Sequence, residues 1–180
     1  FIRYGFRRTT MSDLAKEAGM SRPALYQQFS NKEDIFRAVA IDYVTRAGEE
    51  VDARLDAYES VADKLFFILD IWLVNPFELI HSAPDARELM DSTHDFVSDV
   101  IEDSHRVIES SVAGVLASRS DTLAAHGLTP ESIARVVTAS AMGFKDYAHN
   151  IDELRVLIDG LVRMSVAVVG DPSFAGRSKA

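Results

Sequence analysis

Between Ser21 and Lys32 the sequence reads SRPALYQQFSNK. Five of these side chains suit hydrogen bonding to a nucleic acid. A guanidinium such as Arg22 matches the paired acceptors on a guanine edge, and a carboxamide such as Gln27 or Gln28 matches an adenine edge. A phenol and an ammonium, Tyr26 and Lys32, suit phosphate oxygens. Leu25 and Phe29 are four residues apart and share one helical face, which leaves Arg22, Tyr26, Gln27 and Gln28 pointing outward or to the flanks. Such a helix can enter a major groove about 12 Å wide.

A helix of this kind needs a rigid mount, and the flanking residues supply one. Thr10 with Asp13 three residues on reads as a helix start with a reciprocal cap. Met11, Leu14, Ala15 and Ala18 follow on one face. Gly19 can take the positive φ that closes a helix, and Met20 can seal the corner. Ser21 caps the next helix, with Pro23 in its first turn. Asn31 caps a third, with Asp34 at its third position. Two short helices joined by a glycine-containing turn form a helix-turn-helix.

Charge is distributed to match. The 180-residue chain carries a formal charge of −9, yet residues 1–37 hold seven Lys and Arg against four acids. Ends separated by more than about 8 Å are screened from each other at physiological salt, so a basic end on an acidic body can still meet DNA. There are no cysteines, which excludes disulfides and fits a reducing cytoplasm. No apolar run reaches the roughly 18 residues of a membrane span.

Helical periodicity dominates the rest, with no strand or hairpin signal. The spacing predicts helices near 10–18, 22–28, 32–56, 60–73, 77–82, 86–120, 130–149 and 152–169. An all-α fold follows, divided into a head over residues 1–45, a body over 46–170 and a frayed tail over 171–180. In the body, Phe66, Trp72, Phe96, His105, Phe144 and Tyr147 are candidate walls of a ligand pocket. Asp95, Asp99, Glu102 and His105 could share a face as a metal or cation site, although a solvated helix face is the plainer reading. The last two segments are apolar around more than one face. Val137, Ser140, Ala141, Phe144, Leu157, Leu161 and Ser165 are therefore candidates for a dimer interface, or for burial within one protomer.

The stretch Tyr4–Val39, YGFRRTTMSDLAKEAGMSRPALYQQFSNKEDIFRAV, resembles the TetR family of bacterial transcriptional regulators. The aromatic-Gly-Phe lead, the Thr-Thr pair, LAKEAGMS, ALYQQF and NKEDIF carry the resemblance, over about a fifth of the chain. It implies an all-helical homodimer with an N-terminal three-helix DNA-binding domain and a C-terminal bundle for effector binding and dimerisation. By the same resemblance Phe1–Arg3 is the last turn of a first helix, most of which precedes this sequence. Arg22, Pro23, Ala24, Tyr26, Gln27 and Gln28 then lie on the recognition helix. Tyr26 and Lys32 fall at phosphate-contacting positions, and Thr10, Ser12 and Ser21 border the DNA.

No metalloprotease, nucleophile-elbow, P-loop or dinucleotide-binding pattern occurs. The expectation is a cytoplasmic, ligand-responsive regulator, most simply a repressor, that binds a pseudopalindromic operator as a homodimer, without catalytic residues, cofactor or metal. The rival is a helical small-molecule-binding protein or enzyme whose N-terminal corner is only structural.

Overall fold

A computed structural model describes residues 1–83 and 95–170. Every regular element among them is helical: α1 (Gly5–Arg8), α2 (Met11–Glu17), α3 (Arg22–Gln28), α4 (Lys32–Arg54), α5 (Val61–Leu69), α6 (Asn75–His81), α7 (Ser98–Leu116), α8 (Ser120–Ala124), α9 (Pro130–Tyr147) and α10 (Ile151–Val169). The expected start of a helix at residue 86 and the expected tail at 171–180 lie outside the described residues.

Two compact units result. Among the described residues, one joins Phe1–Arg46 to residues 79–83 and 95–103, and the other joins Ala47–Glu78 to residues 104–170. The segment from Leu79, which sequence reading placed with the body, thus groups with the N-terminal residues. Its described part supplies Phe96, whose ring lies 5.3 Å from Phe6 and 5.9 Å from Phe36. Phe1 completes the group at 5.7 Å from Phe6 and 5.2 Å from Phe36. Phe6 and Phe36 lie edge to face at 5.3 Å, and a cluster of this kind adds edge-to-face attraction to the burial of apolar area. Asp99 then pairs with Arg37 through both terminal nitrogens at 2.5 Å. A second core cluster of this unit is Met11, Ala15, Leu25 and Ile35, with Leu14, Met20 and Phe29 packed against it.

In the second unit α10 packs on α5 and α9. Its core includes Leu65, Ile68, Leu69, Leu73, Phe77, Ile108, Val112, Leu116, Leu123, Leu154 and Ile158. The expected break near Pro76 is absent. The chain runs helically from Val61 to His81 through one widened π turn, Asp70–Val74, where Asn75 N–H reaches back five residues to the Asp70 carbonyl. A π turn lets a helix absorb a residue that cannot donate, and Pro76 falls in the first turn after it, where a missing N–H does least damage.

Candidate nucleic-acid interface

The corner between α2 and α3 is built by local hydrogen bonds. Thr10 and Asp13 cap α2 reciprocally: Asp13 N–H donates to Thr10 Oγ1 at 3.2 Å, and Thr10 N–H and Oγ1–H donate to the Asp13 carboxylate at 2.9 and 2.6 Å. These donors favour the ionised form and hold the Asp13 carboxyl below its ordinary pKa. At the other end Gly19 sits at φ +64°. Met20 N–H bonds the Ala15 carbonyl at 2.9 Å and Gly19 N–H the Lys16 carbonyl at 3.2 Å, which is the Schellman closure. Two residues on, Ser21 Oγ accepts from Ala24 N–H at 3.3 Å and starts α3, with Pro23 in the first turn. Leu25 is the buried anchor of α3, and Phe29 half-buries behind it.

With α3 fixed in this way, Ser21, Arg22, Pro23, Tyr26, Gln27 and Gln28 are exposed and Ala24 is half-buried. Thr10 and Ser12 are exposed at the start of α2. Arg22 and Tyr26 are one turn apart. The guanidinium carbon lies 5.4 Å from the Tyr26 ring centroid and Nη2 reaches the phenol oxygen at 3.5 Å. The face is polar, extended and held in place. Such a face can hydrogen-bond to base edges and phosphates, and it carries no nucleophile-base pair.

Lys32 is placed differently from its expected position at a phosphate. Its ammonium donates to the carbonyls of Phe6 at 2.9 Å, Arg7 at 3.0 Å and Thr9 at 3.5 Å, and lies 4.5 Å from the Phe6 ring centroid. All three N–H groups thus have acceptors at the C-terminal end of α1, where the helix dipole favours a cation. Thr9 completes this joint through Oγ1–H to the Gly5 carbonyl at 2.6 Å. Thr9 and Arg37 are residues that sequence reading did not single out, and Asp99 was read only as part of a possible cation face. Only the Thr9-Thr10 pair gave any local signal.

The expected pocket residues do not form one wall. Phe96 belongs to the aromatic cluster of the first unit, and Tyr147 is 73% exposed. Phe66 lines a groove of about 380 Å³ between α5 and α10 with Tyr58, Phe67, Asp70 and Arg155. Burial raises the Asp70 carboxyl there, with Arg155 opposing the shift. Trp72 is buried, while His105 and Phe144 are half-buried. Among the described residues no group of three or more His, Asp or Glu is arranged to hold a metal, and Asp99 is engaged by Arg37.

The expected dimer residues need the same correction. Val137, Ala141, Leu161 and Ser165 are at most 7% exposed within a single protomer, and Ser140, Phe144 and Leu157 are half-buried. A second stripe takes the open position. On α9, Val136, Ala139, Gly143 and Tyr147 follow at intervals of three and four. On α10, Val156, Gly160, Met164 and Ala167 do the same. Val136, Tyr147, Val156 and Met164 are 57–73% exposed. The interval was legible in the sequence; which apolar face turned inward was not.

An exposed polar helix α3 mounted on a capped α2 is a helix-turn-helix arrangement. Residues 1–39, about a fifth of the chain, match the family model described as bacterial regulatory proteins, tetR family. The chain is 38% identical over 55 residues to the HTH-type transcriptional repressor ComR of Escherichia coli strain K12, a stretch covering 31% of this chain and 26% of ComR. The chain therefore aligns with about a quarter of that relative's length. The fold is similar to that of a transcriptional regulator from Cytophaga hutchinsonii ATCC 33406, with TM-score 0.68 and 17% identity over 94% of this chain and 90% of that one. It is also similar to the fatty acid degradation regulator FadR from Bacillus halodurans, with TM-score 0.63 and 14% identity over 92% and 89% of the two chains.

Proposed function

We propose that the protein is a ligand-responsive repressor of transcription that binds a pseudopalindromic DNA operator as a homodimer in the cytoplasm. The observation that carries this reading is the α2–α3 corner, which fixes Arg22, Tyr26, Gln27 and Gln28 outward on a capped helix. Arg22, Gln27 and Gln28 serve as base readers. Tyr26 grips phosphate, and Thr10, Ser12, Ser21 and the small Ala24 border the groove. Lys32 acts by holding α1 against the start of α4. The similarity to ComR, named a repressor, supports the sign of regulation.

The exposed stripe of α9 and α10 pairs with its own copy across a twofold axis, forming a four-helix interface. Such a dimer presents its recognition helices about 34 Å apart or at a multiple of that distance. An effector in the second unit alters DNA affinity by binding the DNA-competent and incompetent states unequally, with a coupling of about 1–3 kcal/mol.

The test is selection of a binding site from a random duplex library, followed by salt-titrated anisotropy. An enriched inverted repeat whose binding is abolished by Tyr26→Ala supports the reading. Absence of enrichment, or binding indifferent to Tyr26 and Arg22, refutes it.

A further inference from the structure

Among the described residues, two buried side-chain polar atoms of the second unit have no hydrogen-bond partner within the protein. Trp72 is 5% exposed and its indole Nε1–H meets no acceptor; Thr138 is 2% exposed and its Oγ1 meets neither donor nor acceptor. Trp72 lies in the π turn and Thr138 on α9, and α9 packs against that turn. Buried polar groups in native interiors are almost always hydrogen-bonded, so a pair left open on two facing elements calls for an explanation. Valine would occupy nearly the same volume at Thr138, and phenylalanine would keep an aromatic ring at position 72, without an unmet polar atom. An indole N–H can only donate, so what completes it must be an acceptor.

Lys145 adds the charge. It lies two turns beyond Thr138 on the same side of α9, with the small, fully buried Ala141 between them. Lys145 is half-buried and makes no ion pair among the described residues. Burial lowers its pKa, and only its neighbour Asp146 opposes that shift.

We infer that the interior of this unit binds a small organic acid, its carboxylate accepting from Trp72 Nε1–H and Thr138 Oγ1–H and balanced by the Lys145 ammonium, with its apolar body among the aliphatic core. The inference names the chemical class of the effector and rests on the effector reading above. A ligand amine supplies no acceptor for the indole, and a neutral alcohol leaves the ammonium without a counter-charge.

Trp72 is the sole tryptophan of the chain, so its emission reports directly on the site. The full chain is titrated with sodium octanoate, octan-1-ol and octylamine. The expected result is a saturable change with octanoate, binding of octanol about tenfold weaker or worse, and none with octylamine. Calorimetry on Trp72→Phe and Thr138→Val should show octanoate weakened about tenfold in each, with octanol unaffected. Thermal melts of Thr138→Val, a near-isosteric change, verify that the fold is intact. Equal affinity for octanoate and octanol, no octanoate binding, or full binding by a folded Thr138→Val overturns the inference. Octanol or octylamine releasing DNA while octanoate stays silent would also overturn it, yet leave the regulator reading standing. Donor-dependent octanoate binding with no effect on DNA would support the acid site and count against the effector role.

Discussion

The ammonium of Lys32, in the first turn of α4, lies 2.9 Å from the carbonyl oxygen of Phe6 and 4.5 Å from the centroid of that residue's ring. One cation thereby closes the C-terminal end of α1 and stacks on a member of the aromatic cluster. Hydrogen bonds to a charged group contribute more than neutral ones, and a cation at a helix C-terminus adds to them. Lys32→Met keeps most of the stem and removes the charge. It should lower the unfolding free energy by about 1–3 kcal/mol in urea melts. Unchanged stability would mean that the ammonium does not hold this joint.

Arg37 and Asp99 offer a pH signature. The Arg37 guanidinium holds the Asp99 carboxyl at about 2, below its ordinary 3.8. A depressed carboxylate contributes stability that is complete above the unfolded value and disappears as pH falls through the folded one. The stability difference between the wild type and Asp99→Asn should therefore be flat above about pH 4 and shrink between about pH 4 and 2. Denaturant melts across that range measure it. A difference that grows on acidification would reverse the assignment.

Gly19 closes α2 at φ +64°, with nothing within 4 Å of where a Cβ would stand. Gly19→Ala meets no clash and pays only for the left-handed backbone. The expected destabilisation is about 1–2 kcal/mol by thermal or chemical melts. A neutral result would mean that the corner relaxes without that conformation.

In the proposed function, base reading and phosphate gripping fall to different residues of α3. Arg22→Ala should cost about 1–3 kcal/mol on the selected operator and much less on random duplex. Tyr26→Phe removes a neutral hydroxyl, which releases no counterion. It should weaken both duplexes alike and leave the slope of log K against log salt unchanged. Salt-titrated anisotropy measures both. Equal losses for Arg22→Ala on the two duplexes would remove its base-reading role.

The open stripe of α9 and α10 is tested at Val156, which is 72% exposed. Val156→Glu would put two unpaired carboxylates into the proposed apolar twofold interface. It should weaken dimerisation at least about tenfold in sedimentation while leaving the helical content of the protomer intact. A dimer indifferent to this change would place the interface elsewhere.

Local rules made the corner readable in advance. Thr10 with Asp13, Gly19 with Met20, Ser21 with Pro23, and Asn31 with Asp34 all act within a few residues of themselves, and Asn31 Oδ1 does accept from Asp34 N–H at 2.7 Å. Contacts between distant residues left no such trace. Phe96 and Asp99 meet Arg37 across about sixty positions, and no spacing in the chain announces it. Pro76 predicted a break because the widened turn that tolerates it depends on packing. On α9 and α10 the period was plain, but two apolar faces competed for the core. Val137 went inward and Val136 outward for reasons that only the tertiary arrangement decides.

The Arg22–Tyr26 contact has a thermodynamic side. Two long side chains that already lean on one another sample fewer rotamers in solution than they would alone. When a duplex arrives there is less motion left to freeze, and each ordered side chain of this kind otherwise costs about 0.5–1.5 kcal/mol. Part of the ordering that the proposed recognition of a duplex would require is thus complete before any encounter begins.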